Sequence, residues 1–181
     1  SWDHQILSSA DQQQPPIRLG LRLIKGLSEA AGQRIHTAQR QRAFANVADL
    51  RQRACLDRGD MEALAAADAL SGISGNRYQS HWQTMALEAH RPLLPYDSAA
   101  QRSQDDAAVT AAPTLPEDVV ADYQSTGLTL RSHPLSLLRH QPPFDRCRRQ
   151  TELETLGNHR FVRVAGLVTC RQRPGTASGV V

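Results

Sequence analysis

The chain has 181 residues, 40% hydrophobic, 22% charged and only 4% aromatic, enough for one ordinary domain or two small ones whose core must come from Leu, Val, Ile and Ala, a composition that favours helices. Its formal net charge of +3 and sequence pI near 9.1 do not by themselves identify a nucleic-acid partner. Three widely spaced cysteines, Cys55, Cys147 and Cys170, with no C-x-x-C exclude a disulfide framework and a zinc ribbon. They point to a reducing cytosol. No apolar run approaches the roughly 20 residues that span a bilayer, and the polar N-terminus carries no signal peptide. The expectation is therefore a cytoplasmic protein without membrane contact. The absence of an initiator Met suggests a fragment. Lys25 is the only lysine, every other cation being arginine; this suits bidentate phosphate contacts but also follows from genome composition.

Taken in chain order, residues 1 to 16 are polar, end in Pro15-Pro16 and read as a strand or loop. An apolar stretch from Ile17 to Ile24 is broken by Gly26. A helix is expected from Ser28 to Arg42, with Ser28 as N-cap, Glu29 in the first turn, and Ile35 and Ala38 continuing one face. Asp49 to Cys55 reads as a short helix holding Leu50 and Ala54. Asp57 caps the next helix, with Asp60 three positions on and Met61, Leu64 and Ala65 facing inward. Arg77 to Ala89 is a further helix, and its Trp82 and Met85, spaced i and i+3, are expected in the core.

Pro92, Pro95, Pro113 and Pro116 then bracket a Ser-, Gln-, Asp- and Ala-rich linker or mobile loop. Glu117 to Thr126 reads as a helix closed by Gly127. Pro134 to His140 is a short one ended by Pro142-Pro143, with His133 shaping its start. From Phe161 to Val168 the pattern becomes β-rich. Arg171 to Gly175 reads as a turn, and Gly179 to Val181 as the start of another strand, so the chain is expected to stop inside a β-domain. The domains expected are residues 1–90 (helix-hairpin-helix), 91–116 (linker), 117–150 (helical connector) and 151–181 (an incomplete β-domain).

The stretch Lys25-Gly26-Leu27-Ser28-Glu29-Ala30 carries the chemistry. With Gly32 and Ile35 it fits a helix-hairpin-helix pattern: a tight turn of Gly, an apolar residue and a small residue, then a small and an apolar position one helical turn and two turns on. Leu27 would plug between two helices. The backbone N–H groups of Glu29 and Ala30, at the start of the second helix, would bind phosphate. Lys25 would stand beside that phosphate as a point charge, giving a contact that reads backbone and not sequence. The alternative is an ordinary αα-hairpin in which the same residues only pack. Ser28 and Gly32 depart from the commoner Gly or Ala. A weaker second hairpin spans Leu50 to Leu70, with its turn at Cys55 to Gly59.

No catalytic constellation is expected. Asp57, Asp60 and Glu62 are close in sequence, but capping and a solvated face account for them, and no metal-ligand pattern is present. The seven histidines are scattered without an H-E-x-x-H, and there is no nucleophile elbow or phosphate loop. The cluster Arg146, Arg148, Arg149 reads equally as a phosphate contact or a solvated face.

The run Leu19-Gly20-Leu21-Arg22-Leu23-Ile24-Lys25-Gly26-Leu27 resembles the error-prone, α-subunit-type DNA polymerases of bacterial family C. Other stretches agree in the same order: Trp2-Asp3; Phe44 to Leu70; Ala121 to Leu128 followed by His133-Pro134-Leu135; and Arg163 to Val168 with Arg173 to Gly179. The last of these resembles the opening strands of an OB-fold. The segment around Gln101 to Ala112 matches nothing in particular.

The resemblance implies a mainly α segment: a helix-hairpin-helix domain, a helical connector and the first strands of an incomplete OB-fold, from the C-terminal part of a translesion DNA polymerase. The parent enzyme would be a magnesium-dependent nucleotidyltransferase. Its palm carboxylates lie upstream, so this segment would hold no cofactor of its own. The partners implied are duplex DNA at the hairpins, single-stranded template at the OB-fold, and other translesion-synthesis proteins. Lys25, Gly26, Leu27, Ser28, Glu29 and Ala30 are the expected DNA-binding residues. A noncatalytic helical protein-interaction module is the alternative.

Overall fold

A computed structural model describes residues 1–7, 14–87 and 111–172. Its contacts divide the chain into two units, Ser1–Leu130 and Arg131–Val181.

The first unit begins with a two-stranded antiparallel ribbon, β1 (Gln5–Ile6) and β2 (Ile17–Arg18), in the register Gln5 to Arg18 and Ile6 to Ile17. A three-residue 3-10 turn, Leu21–Leu23, leads to α1 (Glu29–Gln41). The Ser28 hydroxyl accepts from the Ala31 N–H at 3.1 Å, satisfying one of the donors that a helix start leaves without an intrahelical partner. Ala31, Gly32, Ile35 and Ala38 recur at helical spacing and form the buried face.

α2 (Val47–Arg53) starts two residues earlier than the sequence suggests. The cap is Asn46, whose side chain accepts from Asp49 N–H at 2.8 Å, so that Asp49 lies in the first turn. In α3 (Arg58–Ala66) the Asp57 carboxylate accepts from Asp60 N–H at 2.8 Å as anticipated, and Met61, Leu64 and Ala65 are buried. A short α4 (Ser71–Ser74), α5 (Arg77–Ala86) and α6 (Leu115–Ser125) complete the unit. Ile24, Leu27, Ile35, Leu50, Met61 and Leu64 sit in one continuous core.

α6 begins two residues before Glu117. The Glu117 carboxylate takes both the N–H and the hydroxyl of Thr114 at 2.8 Å, closing the first turn. Gly127 ends the helix with φ of 82°. α6 packs against α3 and is tied to α5 by Arg77. That guanidinium donates to the Asp118 carboxylate at 3.0 Å, to Asp122 and to the Ala66 carbonyl.

Two expectations are corrected. Trp82 and Met85 are 53% and 50% exposed. α5 instead turns Arg77, Ser80 and Thr84 inward, Arg77 joining the ionic network with α6 and Ser80 meeting the Ser74 hydroxyl. The run Phe161 to Val168 forms no strand among the described residues, and a strand without paired neighbours is marginal in water. The helix expected to reach Ala89 ends at Ala86; Gly179 to Val181, the other expected strand, lies outside the described residues, as does the expected linker up to Thr110.

The second unit holds α7 (Pro134–Leu138), a 3-10 turn at Phe144–Arg146 and α8 (Gln150–Leu153). α7 ends two residues before His140. His133 does shape its start, its Nδ1 accepting from Leu135 N–H at 3.2 Å. No described residue of this unit is buried.

Candidate nucleic-acid interface

The expected hairpin is a turn in the structure, but its first arm is a single 3-10 turn rather than an α-helix. Gly26 adopts φ of +87°, a conformation that L side chains rarely take. Its missing side chain matters for backbone and not for room, since an added Cβ would meet nothing nearer than Ala63 Cβ at 3.8 Å. Leu27 is buried in the core beside Ile24, and its N–H donates to Ile24 O at 3.3 Å. Leu27 thus anchors the turn, and α1 springs from it with its N-terminus exposed.

The backbone donors at that point are accounted for one by one. Ala31 N–H goes to the Ser28 hydroxyl and Gly32 N–H to the Ser28 carbonyl. Among the described residues, the N–H groups of Ser28, Glu29 and Ala30 meet no protein acceptor. Three outward donors at the positive end of a 13-residue helix can receive an anion.

Lys25 lies elsewhere than a free point charge would. Its backbone N–H donates to Ser125 O at 2.9 Å, and its ammonium to Gln124 O at 2.8 Å and Tyr123 O at 3.3 Å. It therefore caps the C-terminal carbonyls of α6, where the helix dipole favours a cation. An ammonium has three donors, and the side chain is exposed, so one donor remains available to solvent. Lys25 also edges an apolar cavity of about 450 Å³ lined by Ala65, Tyr78, His81 and Ala121.

Gly32 answers to an unexpected neighbour. A Cβ there would lie 2.5 Å from Cε3 of Trp2, so the small residue admits the N-terminal indole rather than a second helix. The second hairpin turns at Cys55, which takes φ of 49° without being glycine. Leu56 N–H closes that turn onto Arg51 O at 3.0 Å.

Sequence reasoning missed the Arg77 network. Asp118 and Asp122, one helical turn apart, were its only trace, and a solvated face explains such a pair equally well. Asp57 caps, and Asp60 is buried against Arg34 at 3.4 Å. Among the described residues no three His, Cys, Asp or Glu side chains gather as a metal ion would need.

Comparison with known proteins adds the family. A helix-hairpin-helix motif family matches residues 1–80. The error-prone DNA polymerase of Saccharophagus degradans is 46% identical over 180 residues, covering 98% of this chain and 17% of that protein. That of Pseudomonas fluorescens is 49% identical over 168 residues, covering 92% of this chain and 16% of the relative. That of Ralstonia nicotianae is 46% identical over 186 residues, covering 100% and 17%. The chain is a relative of the error-prone DNA polymerases. It spans about a sixth of the length of these polymerases. No solved structure matches it. The polymerase resemblance seen from Leu19 to Leu27 thus extends along nearly the whole chain.

Proposed function

We propose that this chain is a DNA-holding segment, from the C-terminal part of an error-prone DNA-directed DNA polymerase that acts in translesion synthesis and DNA repair in the cytoplasm, beside other translesion proteins. The observation that carries the DNA contact is the set of unpartnered N–H groups of Ser28, Glu29 and Ala30 behind the Gly26 turn. A duplex phosphate fits there, Leu27 fixing the angle of approach. The spare ammonium donor of Lys25 adds charge without releasing the α6 carbonyls. Such contacts carry no sequence information. The catalytic carboxylates and magnesium belong to other parts of the proposed polymerase, and the residues after Phe161 are assigned to its OB-fold, which would meet single-stranded template.

The test is fluorescence anisotropy of the purified chain on unrelated duplexes across a salt series. Lys25→Ala is expected to weaken every duplex alike and to make the plot of log affinity against log salt shallower by about one unit. A loss confined to one sequence, or none on any, contradicts the clamp.

A second reading rests on α5. Tyr78, Trp82 and Met85 lie on one exposed face, as an interaction module would need. It is favoured if the folded chain binds no DNA even at low salt.

A further inference from the structure

The charge of this protein is divided unevenly between its units. Nine of the 21 Lys and Arg but only three of the 18 Asp and Glu fall in Arg131–Val181, so that unit has formal charge +6 and Ser1–Leu130 has −3. The unit that bears the hairpin is anionic in total, and a polyanion approaching it gains nothing from its long-range field.

The pairing is as uneven as the charge. In the first unit Arg22, Arg34, Arg42, Arg53, Arg58 and Arg77 each meet a carboxylate at 4 Å or less. In the second, Arg148 reaches Glu152 only at 3.8 Å. Arg146, Arg149, Arg160 and Arg163 are exposed and make no ion pair among the described residues. The chain also folds two of these segments together: Arg148 N–H donates to Arg163 O at 2.8 Å, bringing Arg163 alongside residues 146–149.

We propose that this arginine array is a second nucleic-acid contact, and that it supplies most of the chain's electrostatic affinity for phosphodiester backbone. Its cations are all arginine, whose planar fork matches two phosphate oxygens at once. Unpaired guanidinium groups release condensed counterions on meeting DNA without first breaking a salt bridge. The contact is independent of the hairpin.

The experiment uses the full chain with Arg146, Arg149 and Arg163 all changed to Gln, compared with Lys25→Ala on unrelated duplexes over a salt series. All three arginines are exposed, and far-ultraviolet circular dichroism confirms that the variant retains its helices. The triple variant is expected to lose at least tenfold in affinity at low salt and to flatten the salt dependence by about 0.9 per arginine on duplex DNA. A triple variant with wild-type affinity and slope overturns the array while leaving the hairpin reading intact. The reverse pattern, in which Lys25→Ala is silent and the triple variant is weak, supports the array and overturns the clamp at the hairpin. Polyglutamate competing as well as DNA of equal charge overturns the assignment to nucleic acid.

Discussion

Asp49 shows how much one side chain can do in this protein. Burial alone would raise its carboxyl, but the Ala45 N–H and the Arg42 and Arg53 guanidinium groups together outweigh that and hold it below the ordinary carboxylate range. It accepts from Ala45 N–H at 3.0 Å and pairs with Arg42 at 2.9 Å and Arg53 at 3.3 Å, pinning the start of α2 to the end of α1. A carboxyl lowered in the folded state contributes stability above its unfolded value, near 3.9, and loses that contribution as pH falls through the folded value. Thermal unfolding is therefore expected to shift down below about pH 4, and Asp49→Asn to remove part of that shift; an identical acid dependence in the variant would contradict the assignment. At this scale the sequence was informative where one residue acts on its own backbone, as Ser28, Asp57 and His133 do. It was silent where the partner is remote, as with Trp2 over Gly32 or Lys25 on α6, because spacing along a chain holds no distance across it.

Among the elements, α6 is tied to α5 by charge. Arg77, whose side chain is 7% exposed, faces Asp118 and Asp122. Removing one member of a buried ionic group takes away the charge that offset the burial of the others, at about 3–5 kcal/mol. Arg77→Leu is expected to lower the urea midpoint accordingly, and adding Asp118→Asn with Asp122→Asn to recover most of the loss. Failure of the triple variant to recover would mean that packing of the arginine stem, and not its charge, holds the helix. Helices with a side-chain cap and a periodic apolar face were legible to within two or three residues. α5 misled because its apolar residues, Tyr78, Trp82 and Met85, mark the outside. Periodicity locates a face without telling which way it points.

Across the whole molecule, stability is concentrated in Ser1–Leu130, where every buried side chain among the described residues lies. Amide exchange is expected to be slow in α1 and α3 and fast throughout residues 131–172, which bury nothing. Protection of Arg163 to Val168 comparable to α3 would contradict this. The β-rich composition there was legible, but a ladder depends on partners elsewhere in the chain, and composition cannot supply them.

The packing of Trp2 against Gly32 has a spectroscopic consequence. Only two tryptophans occur in the chain. One lies half-buried on the helix that starts at the hairpin; the other, Trp82, stands in water. Replacing Trp82 with phenylalanine leaves Trp2, packed against Gly32 of α1, as the single tryptophan, whose emission colour reports, with no label attached, whether the N-terminal tail is seated on that helix.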